Sequence, residues 1–137
     1  MTRQSRRPRV LIVDDEVPIA RALQRVLSTC DVEVVHDGHT ALATLTGGAR
    51  FDVVLCDLMM PGMAGSELYE RLRATHPELA GRFVFMTGGA FTRHGHSFLE
   101  RAGVRVLEKP FDPRQVVAVV EEVASGLPDP RIFGEPG

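Results

Sequence analysis

The chain has 137 residues, 16 of them basic and 18 acidic, and its formal net charge of −2 gives no electrostatic reason to expect direct nucleic-acid or membrane binding. Apolar residues make up 44% and charged residues 25%, which argues against disorder and suits a single globular domain of this length. No apolar run is long enough to span a bilayer and the N-terminus has no leader-like apolar stretch, so we expect a cytoplasmic location.

The first predicted unit is a strand followed by a helix, with acids between them. The strand, Val10 to Val13, is apolar throughout and ends in Asp14-Asp15-Glu16. Pro18 then opens a helix, because a proline in the first turn sacrifices no intrahelical hydrogen bond. The apolar residues at helical spacing on its inner face are Ile19, Ala22, Leu23, Val26 and Leu27.

The second and third units repeat this order. The second strand, Val32 to Val35, leads through an Asp37-Gly38 turn into a short helix. The third strand is a β-branched apolar run, Val53 to Cys56, that ends abruptly in Asp57. Pro61-Gly62 marks a turn before the third helix.

The fourth and fifth strands also end in polar residues. The fourth, Phe83 to Met86, is followed by Thr87-Gly88 and by a helix predicted from Phe91 to Ala102. The fifth, Val104 to Leu107, is more polar, which is typical of a strand at the edge of a sheet. It is followed by Glu108-Lys109-Pro110.

A last helix begins at Asp112-Pro113, an N-cap residue followed by a proline in the first turn. Five βα repeats with short connections predict an α/β fold with a parallel sheet covered by helices on both faces. We therefore expect a flavodoxin-like, doubly wound (βα)5 domain with strand order 2-1-3-4-5 over residues 9–125. Residues 1–8 then form a polar N-terminal tail, and residues 126–137 a C-terminal tail or linker.

In this strand order the winding reverses between strands 1 and 3, where ligands bind at the carboxyl ends of the strands. Asp14 and Asp15 follow strand 1 and Asp57 ends strand 3, so three carboxylates face one crevice. Their mutual repulsion is costly unless a cation neutralises it, and hard oxygen ligands suit Mg²⁺. Thr87 adds a hydroxyl and Lys109 a fixed cation at neighbouring strand ends.

These groups are the parts required to move a phosphoryl group, with one carboxylate as nucleophile and cations to neutralise the phosphoryl oxygens. Asp57 is the best candidate nucleophile, since the adjacent pair Asp14-Asp15 is better suited to hold the ion. A helix-capping role for Asp57 leaves the four other polar residues at the strand ends unexplained. A phosphohydrolase with an aspartyl nucleophile fits less well, because no second acid stands two residues after Asp57.

The combination of Asp14-Asp15, Asp57 with Pro61-Gly62, Thr87 and Lys109-Pro110 resembles the receiver domain of bacterial two-component response regulators. The resemblance covers Arg9 to Ala124. It implies a phosphorelay signalling domain, in which Asp57 accepts a phosphoryl group from the phosphohistidine of a histidine kinase or histidine phosphotransfer domain. It also implies that the domain catalyses its own phosphorylation and its slow dephosphorylation, and it is compatible with a weak homodimer.

The resemblance further implies the ligands of the site. For Mg²⁺ these are Asp15, Asp57 and the main-chain carbonyl of Met59, with Asp14 acting through a bound water. The phosphoryl oxygens would be bound by Thr87 and Lys109, and the Lys109-Pro110 peptide would be cis. The surface formed by the fourth helix, fifth strand and fifth helix of the repeats would change on phosphorylation.

Three positions depart from the family pattern. Val106 replaces the usual aromatic switch residue, and Met59 and Gly89 occupy positions that adjust access of water to the phosphoaspartate. An alternative function is therefore an interaction module that keeps the fold without using phosphate, for which Val106 is the only support. The sequences around Thr87 and Lys109 resemble receivers fused to hybrid histidine kinases more than those of transcription factors.

Overall fold

A computed structural model describes residues 7–88 and 93–126, apart from the side chains at positions 93 and 94. Strands and helices alternate along this part of the chain, with one additional short helix. In chain order they are β1 (Arg9–Val13), α1 (Val17–Val26), β2 (Asp31–Val35), α2 (Gly38–Thr46), β3 (Val53–Asp57), α3 (Gly65–Thr75), α4 (Pro77–Ala80), β4 (Phe83–Gly88), α5 (Arg93–Ala102), β5 (Arg105–Lys109) and α6 (Pro113–Ser125).

The strands form one parallel sheet in the order β2-β1-β3-β4-β5, which confirms the predicted fold class and topology. Strands β1, β3 and β4 lie between neighbours and are almost entirely buried, as their continuous apolar sequences require. Strands β2 and β5 form the two edges, and both carry exposed charged residues. The reversal of winding falls between β1 and β3, at the predicted crevice.

Alternate residues of each strand point to opposite faces of the sheet, and two hydrophobic cores result. One core lies under α1 and α6 and takes Val10 and Ile12 from β1; we call it the α1/α6 core. The other lies under α2, α3, α4 and α5 and takes Leu11 and Val13; we call it the α2–α5 core. Both faces are therefore covered, as a doubly wound sheet requires.

The helices differ from the prediction in two respects. The short helix α4 begins at Pro77, so the fourth and fifth predicted helices correspond to α5 and α6. Ala22 was predicted on the inner face of α1 but is exposed, and Ala20 is buried there instead with Leu23. The predicted start of the fourth helix at Phe91 lies outside the described residues.

The sequence predicts an N-cap at Asp112 but only a turn at Asp37, and both aspartates cap a helix. The Asp37 carboxylate accepts a hydrogen bond from Thr40 N at 2.7 Å, and the Asp112 carboxylate accepts one from Arg114 N at 3.0 Å. Each carboxylate satisfies one of the amides that a helix start leaves without an intrahelical partner. The ends of α2 and α6 nearest the crevice are thereby capped.

Arg7 and Pro8, within the predicted N-terminal tail, contact the start of β2. The Arg7 guanidinium donates to Asp31 Oδ1 at 2.9 Å and to the carbonyl of Cys30 at 2.9 Å, and Asp31 N donates to the carbonyl of Pro8. Residues 1–6 and 127–137 lie outside the described residues, so the tail boundaries stay predictions. Within residues 7–88 and 93–126, no helix combines the length and apolar character needed to cross a membrane.

Gly65 packs its backbone directly against the end of β3. A β-carbon at this position would lie 3.1 Å from Cys56 Sγ and from Leu58 Cα, and closer still to the carbonyl oxygen of Asp57. The first turn of α3 can therefore approach Asp57 only because position 65 has no side chain.

We predict that Gly65→Ala lowers the free energy of unfolding by about 1–3 kcal/mol, because the added methyl must push α3 away from β3. Gly81→Ala is the matched control, since a β-carbon there meets nothing within 4 Å and its φ is −73°. Urea denaturation of both variants measures the difference. Equal stability of the two variants would show that α3 yields to the methyl without cost.

Candidate functional site

The strand register brings four chemically active residues to one edge of the sheet. Val13 of β1 pairs with Cys56 of β3, so Asp14 and Asp57 are the next residues on adjacent strands. Asp57 pairs with Met86 of β4, which places Thr87 one residue further along, and Gly88 pairs with Lys109 of β5. The predicted convergence of these strand ends is thus present.

The same alternation that builds the two cores sorts these side chains between the two faces. Asp14, Asp57 and Lys109 each lie two residues after a residue of the α1/α6 core, so their side chains are on that face of the sheet. Thr87, which is 4% exposed, lies two residues after Phe85 of the α2–α5 core and is therefore on the opposite face. Asp57 and Thr87 therefore reach the sheet edge from opposite faces.

The ammonium of Lys109 lies among three carboxylates. Its Nζ is 3.4 Å from Asp57 Oδ2, 3.5 Å from Asp14 Oδ2 and 3.5 Å from Glu16 Oε1. The lysine side chain is only 14% exposed, because it extends across the end of β4 at Gly88 toward the acids. A β-carbon at Gly88 would lie 3.3 Å from Lys109 Cδ, so the glycine leaves room for this approach.

Backbone amides hold two of the carboxylates in place. Met59 N donates to Asp57 Oδ1 at 3.3 Å, and Glu16 N donates to Asp14 Oδ1 at 2.9 Å. Each amide belongs to the loop that follows the strand carrying the acid. Each carboxylate is therefore oriented by a backbone amide two residues later in its own loop.

Burial and charge act in opposite directions on the carboxylates. Burial raises the pKa of Asp57 from 3.8 to about 6; the nearby Lys109 opposes this shift, and Asp14 adds to it. Burial likewise raises the pKa of Asp14. Burial disfavours the charged Lys109, yet its pKa is raised, because Asp57 and Asp14 favour the ammonium. The single lysine thus only partly neutralises the site.

This donor set fits a hard divalent cation. One carboxylate oxygen from each of Asp14, Glu16 and Asp57 lies within 4.8 Å of the other two. Asp14 is fully buried, and its Oδ2 accepts no hydrogen bond from the described residues. The Lys109 ammonium at 3.5 Å satisfies this buried oxygen only in part, and oxygen ligands of this kind suit Mg²⁺.

Of the ligands that the resemblance implies, Asp14 and Asp57 belong to this group and Asp15 does not. The Asp15 side chain is exposed, whereas Glu16, which was not assigned a role from sequence, approaches the other two acids. Asp15 and the Met59 carbonyl stay predicted ligands. Gly89, the third position that departs from the family pattern, lies outside the described residues.

Comparison with known proteins decides the family. The family model described as "Response regulator receiver domain" matches residues 10–121, most of the chain. The chain belongs to the response-regulator receiver family. It is a receiver domain of two-component signalling, and its acidic cluster is compatible with Mg²⁺ binding.

Relatives of this receiver domain include both kinases and regulators. It is 35% identical to the sensor protein GacS of Pseudomonas syringae pv. syringae over 120 residues, 85% of this chain and 13% of that protein. It is 37% identical to the DNA-binding response regulator MtrA of Mycobacterium tuberculosis (strain H37Rv) over 116 residues, 83% of this chain and 49% of that protein. The chain thus spans at most about half of these relatives.

Solved structures show the same fold. A putative response regulator from Chloroflexus aurantiacus aligns with a TM-score of 0.76 at 27% identity, covering 88% of this chain and 99% of that one. A CheY-like receiver domain protein from Methanospirillum hungatei aligns with the same TM-score and identity, covering 88% and 96%. These alignments extend over nearly the whole described receiver domain.

Val106 stands where receivers usually have an aromatic residue, and its surroundings differ accordingly. It is half-buried and pairs with Phe85 of β4, so the two residues are neighbours on the α2–α5 face. Phe111 does not replace the missing ring, because it packs against the α1/α6 core on the other face. The ring beside Val106 in the strand register is that of Phe85, whose centroid lies 5.3 Å from that of Phe98.

Two residues that contact the site have no role predicted from the sequence. Glu16 has a carboxylate 3.5 Å from Lys109 Nζ, and His36 has its Nδ1 3.0 Å from the Asp14 carbonyl oxygen. The triplet Asp14-Asp15-Glu16 offered a signal for the first, but the order of acids in a loop does not reveal which one turns inward. No sequence pattern marked His36.

The raised pKa of Asp57 predicts a pH dependence of stability. Between about pH 4 and pH 6 the folded state retains a proton that an unfolded aspartate has lost, so ionising Asp57 destabilises the fold as pH rises through this window. Asp57→Asn should therefore be more stable than wild type at pH 7.5, and the advantage should shrink as pH falls below 6.

Urea midpoints of both proteins across this range test that prediction, and ¹³Cγ shifts locate the titration directly. Asp37 is an internal control, because hydrogen bonds from Thr40 lower its pKa below the ordinary value. A stability difference that grows toward acid pH would contradict the assignment of the raised pKa to Asp57.

Proposed function

We propose that this receiver domain accepts a phosphoryl group on Asp57 from a phosphohistidine in a Mg²⁺-dependent reaction. The observation that carries the proposal is the arrangement at Lys109, whose ammonium lies 3.4 Å from Asp57 and 3.5 Å from Asp14 at the carboxyl edge of the sheet. A buried nucleophilic carboxylate beside a fixed cation is suited to phosphoryl transfer.

In the proposed step an Asp57 oxygen forms a bond to phosphorus as the phosphorus–nitrogen bond of the phosphohistidine breaks. The histidine nitrogen keeps the electron pair and takes up a proton, and Asp57 becomes an acyl phosphate. Lys109 can donate to a phosphoryl oxygen, since its ammonium already approaches Asp57 Oδ2. Thr87 can donate its hydroxyl from the opposite face of the sheet.

The acids that would hold Mg²⁺ are Asp14, Asp57 and, by family resemblance, Asp15 with the Met59 carbonyl. When bound, the ion supplies positive charge that offsets repulsion between the carboxylates and the incoming phosphoryl oxygens. With a pKa of about 6, Asp57 is ionised at neutral pH and can act as a nucleophile. The same residues would catalyse the slow loss of the phosphoryl group to water.

The proposed donor is a histidine kinase or a histidine phosphotransfer domain. Val17 is 42% exposed and Met59 46% exposed, and each follows an acid of the site closely in sequence. These exposed apolar side chains offer a surface for a partner that presents its phosphohistidine at the crevice. The proposal places the domain in the cytoplasm and makes its downstream target a protein surface or a fused domain.

The competing function is an interaction module that does not use phosphate. The observation that favours it is Val106, which lacks the ring that usually links the phosphorylation site to the output surface. Against it stands the complete set of Asp14, Asp57, Thr87 and Lys109 at one sheet edge. Whether Asp57 gains a phosphoryl group decides between the two functions.

We expect incubation with acetyl phosphate or phosphoramidate and Mg²⁺ to add the mass of one phosphoryl group to wild type. Asp57→Asn should gain none, because the amide is not a nucleophile toward phosphorus. Asp52→Asn is the matched control, since Asp52 lies at the opposite end of β3 and should leave labelling unchanged. Intact-mass spectrometry with and without EDTA gives the readout.

Absence of an adduct with several donors, while Mg²⁺ still binds, would leave only the interaction-module function. Labelling of Asp57→Asn to the wild-type extent would place the acceptor elsewhere. Rapid multiple turnover of an organic phosphate would instead indicate a phosphohydrolase.

Aromatic contacts suggest how phosphorylation reaches the output surface without a ring at position 106. Phe85 lies two residues before Thr87 on the same face of β4, and its ring packs edge-to-face on Phe98 of α5, with the planes at 89°. Tyr69 of α3 completes the cluster, with its ring centroid 5.5 Å from that of Phe98. A movement of Thr87 would displace Phe85 and, through it, α5.

This relay predicts that beryllium fluoride, a phosphoryl mimic, shifts the backbone amide signals of α5, β5 and α6. Phe98→Leu should reduce these shift changes without preventing binding of the mimic. Phe51→Leu is the control, because Phe51 is equally buried in the same core but outside the aromatic cluster. Tyr69 is the only tyrosine and the chain has no tryptophan, so its fluorescence reports on the cluster. Full shift changes in Phe98→Leu would refute the relay.

A further inference from the structure

Glu16 occupies the N-cap position of α1 but does not cap the helix with its side chain. Its backbone carbonyl accepts hydrogen bonds from Ile19 N and Ala20 N, yet its carboxylate forms no hydrogen bond to the first turn. Glutamate is not among the residues favoured at this position, where shorter side chains reach the helix amides. The N-cap preference therefore does not explain where the Glu16 carboxylate lies.

The carboxylate instead lies beside Lys109, 93 residues later in the sequence. Its Oε1 is 3.5 Å from Nζ, and the Glu16 side chain is 58% exposed. Asp14 and Asp57 contact the same ammonium from deeper in the crevice, with side chains 0% and 8% exposed. Lys109 is thus shared between two buried carboxylates and one at the solvent side.

We propose that Glu16 is a positioning residue for Lys109, an inference that rests on the proposed function. Its carboxylate holds the ammonium toward the solvent side of the site, so that the oxygens of Asp14 and Asp57 are available to bind Mg²⁺. The buried Asp14 Oδ2 lies 3.5 Å from the Lys109 ammonium but accepts no hydrogen bond from the described residues, so a closer cation would satisfy it better than the lysine does.

The physical basis is competition between two cations for the same oxygens. Mg²⁺ and the Lys109 ammonium repel each other, and each is attracted to Asp14 and Asp57. Glu16 provides the ammonium with a counter-ion that does not belong to the buried pair. Without it, Lys109 would remain on Asp14 and Asp57, and Mg²⁺ would have to displace it at greater cost.

A simpler role for Glu16 would be a direct effect of its charge on the ion. In that case, loss of the charge weakens Mg²⁺ binding by the same factor whether or not a lysine stands at position 109. If Glu16 acts through Lys109, the effect depends on the lysine. A double-mutant cycle separates these two roles.

The experiment measures the Mg²⁺ dissociation constant by NMR titration of unphosphorylated wild type, Glu16→Gln, Lys109→Gln and the double variant. We expect Glu16→Gln to weaken Mg²⁺ binding by about two- to fivefold more in the presence of Lys109 than in its absence, the scale of a half-exposed ion pair. Folding of each variant is checked from its amide spectrum.

Two further variants sharpen the test. Glu16→Asp keeps the charge but has a shorter side chain, so it should behave like Glu16→Gln if contact with Lys109 matters. Glu108→Gln removes the same charge from an exposed residue next to Lys109 in β5, and it should leave both Mg²⁺ affinity and the Lys109 side-chain ¹³Cε shift unchanged. Glu16→Gln should move that ¹³Cε shift.

An equal or larger effect of Glu16→Gln in the Lys109→Gln background would overturn the positioning role. Wild-type affinity in Glu16→Asp together with an unmoved Lys109 signal would also overturn it. Failure of wild type to bind Mg²⁺ would overturn both the positioning role and the proposed function. Normal Mg²⁺ binding without gain of a phosphoryl group would refute the proposed function alone, so the two failures are distinguishable.

Discussion

The contact between one ammonium and three carboxylates is the constraint on which the site depends. Asp14 and Asp57 are buried, and without a cation their repulsion and desolvation would favour protonation. Lys109 reduces this cost but does not remove it, and the pKa of Asp57 remains raised. The same charge imbalance makes the acidic cluster compatible with Mg²⁺ binding.

The sheet makes that contact available by bringing distant parts of the chain to one edge. Because side chains alternate along each strand, Asp14, Asp57 and Lys109 emerge on the face of the α1/α6 core, and Thr87 emerges on the other. A group attached to Asp57 would therefore be contacted from both faces. The proposed relay to the aromatic cluster depends on this contact from both faces.

Several features of the chain could be predicted and others could not, for identifiable reasons. Continuous apolar runs ending in polar residues predicted all five strands, and the short connections predicted a parallel sheet. The strand order was expected from the flavodoxin-like fold class. The inner face of α1 was misjudged at Ala22, because alanine is nearly neutral in the apolar pattern and Ala20 fits the same spacing. The short helix α4 was missed, because four residues are too few for a periodic signal.

By itself the sequence determined the fold class, the strand ends and the residue types available at the crevice, since these follow from local patterns and from the rules of parallel sheets. Only the tertiary structure decided which acid approaches Lys109, because Asp15 and Glu16 belong to one loop and its path selects between them. It also decided that Phe111 packs on the face opposite Val106. Such choices depend on side-chain direction, which no local pattern encodes.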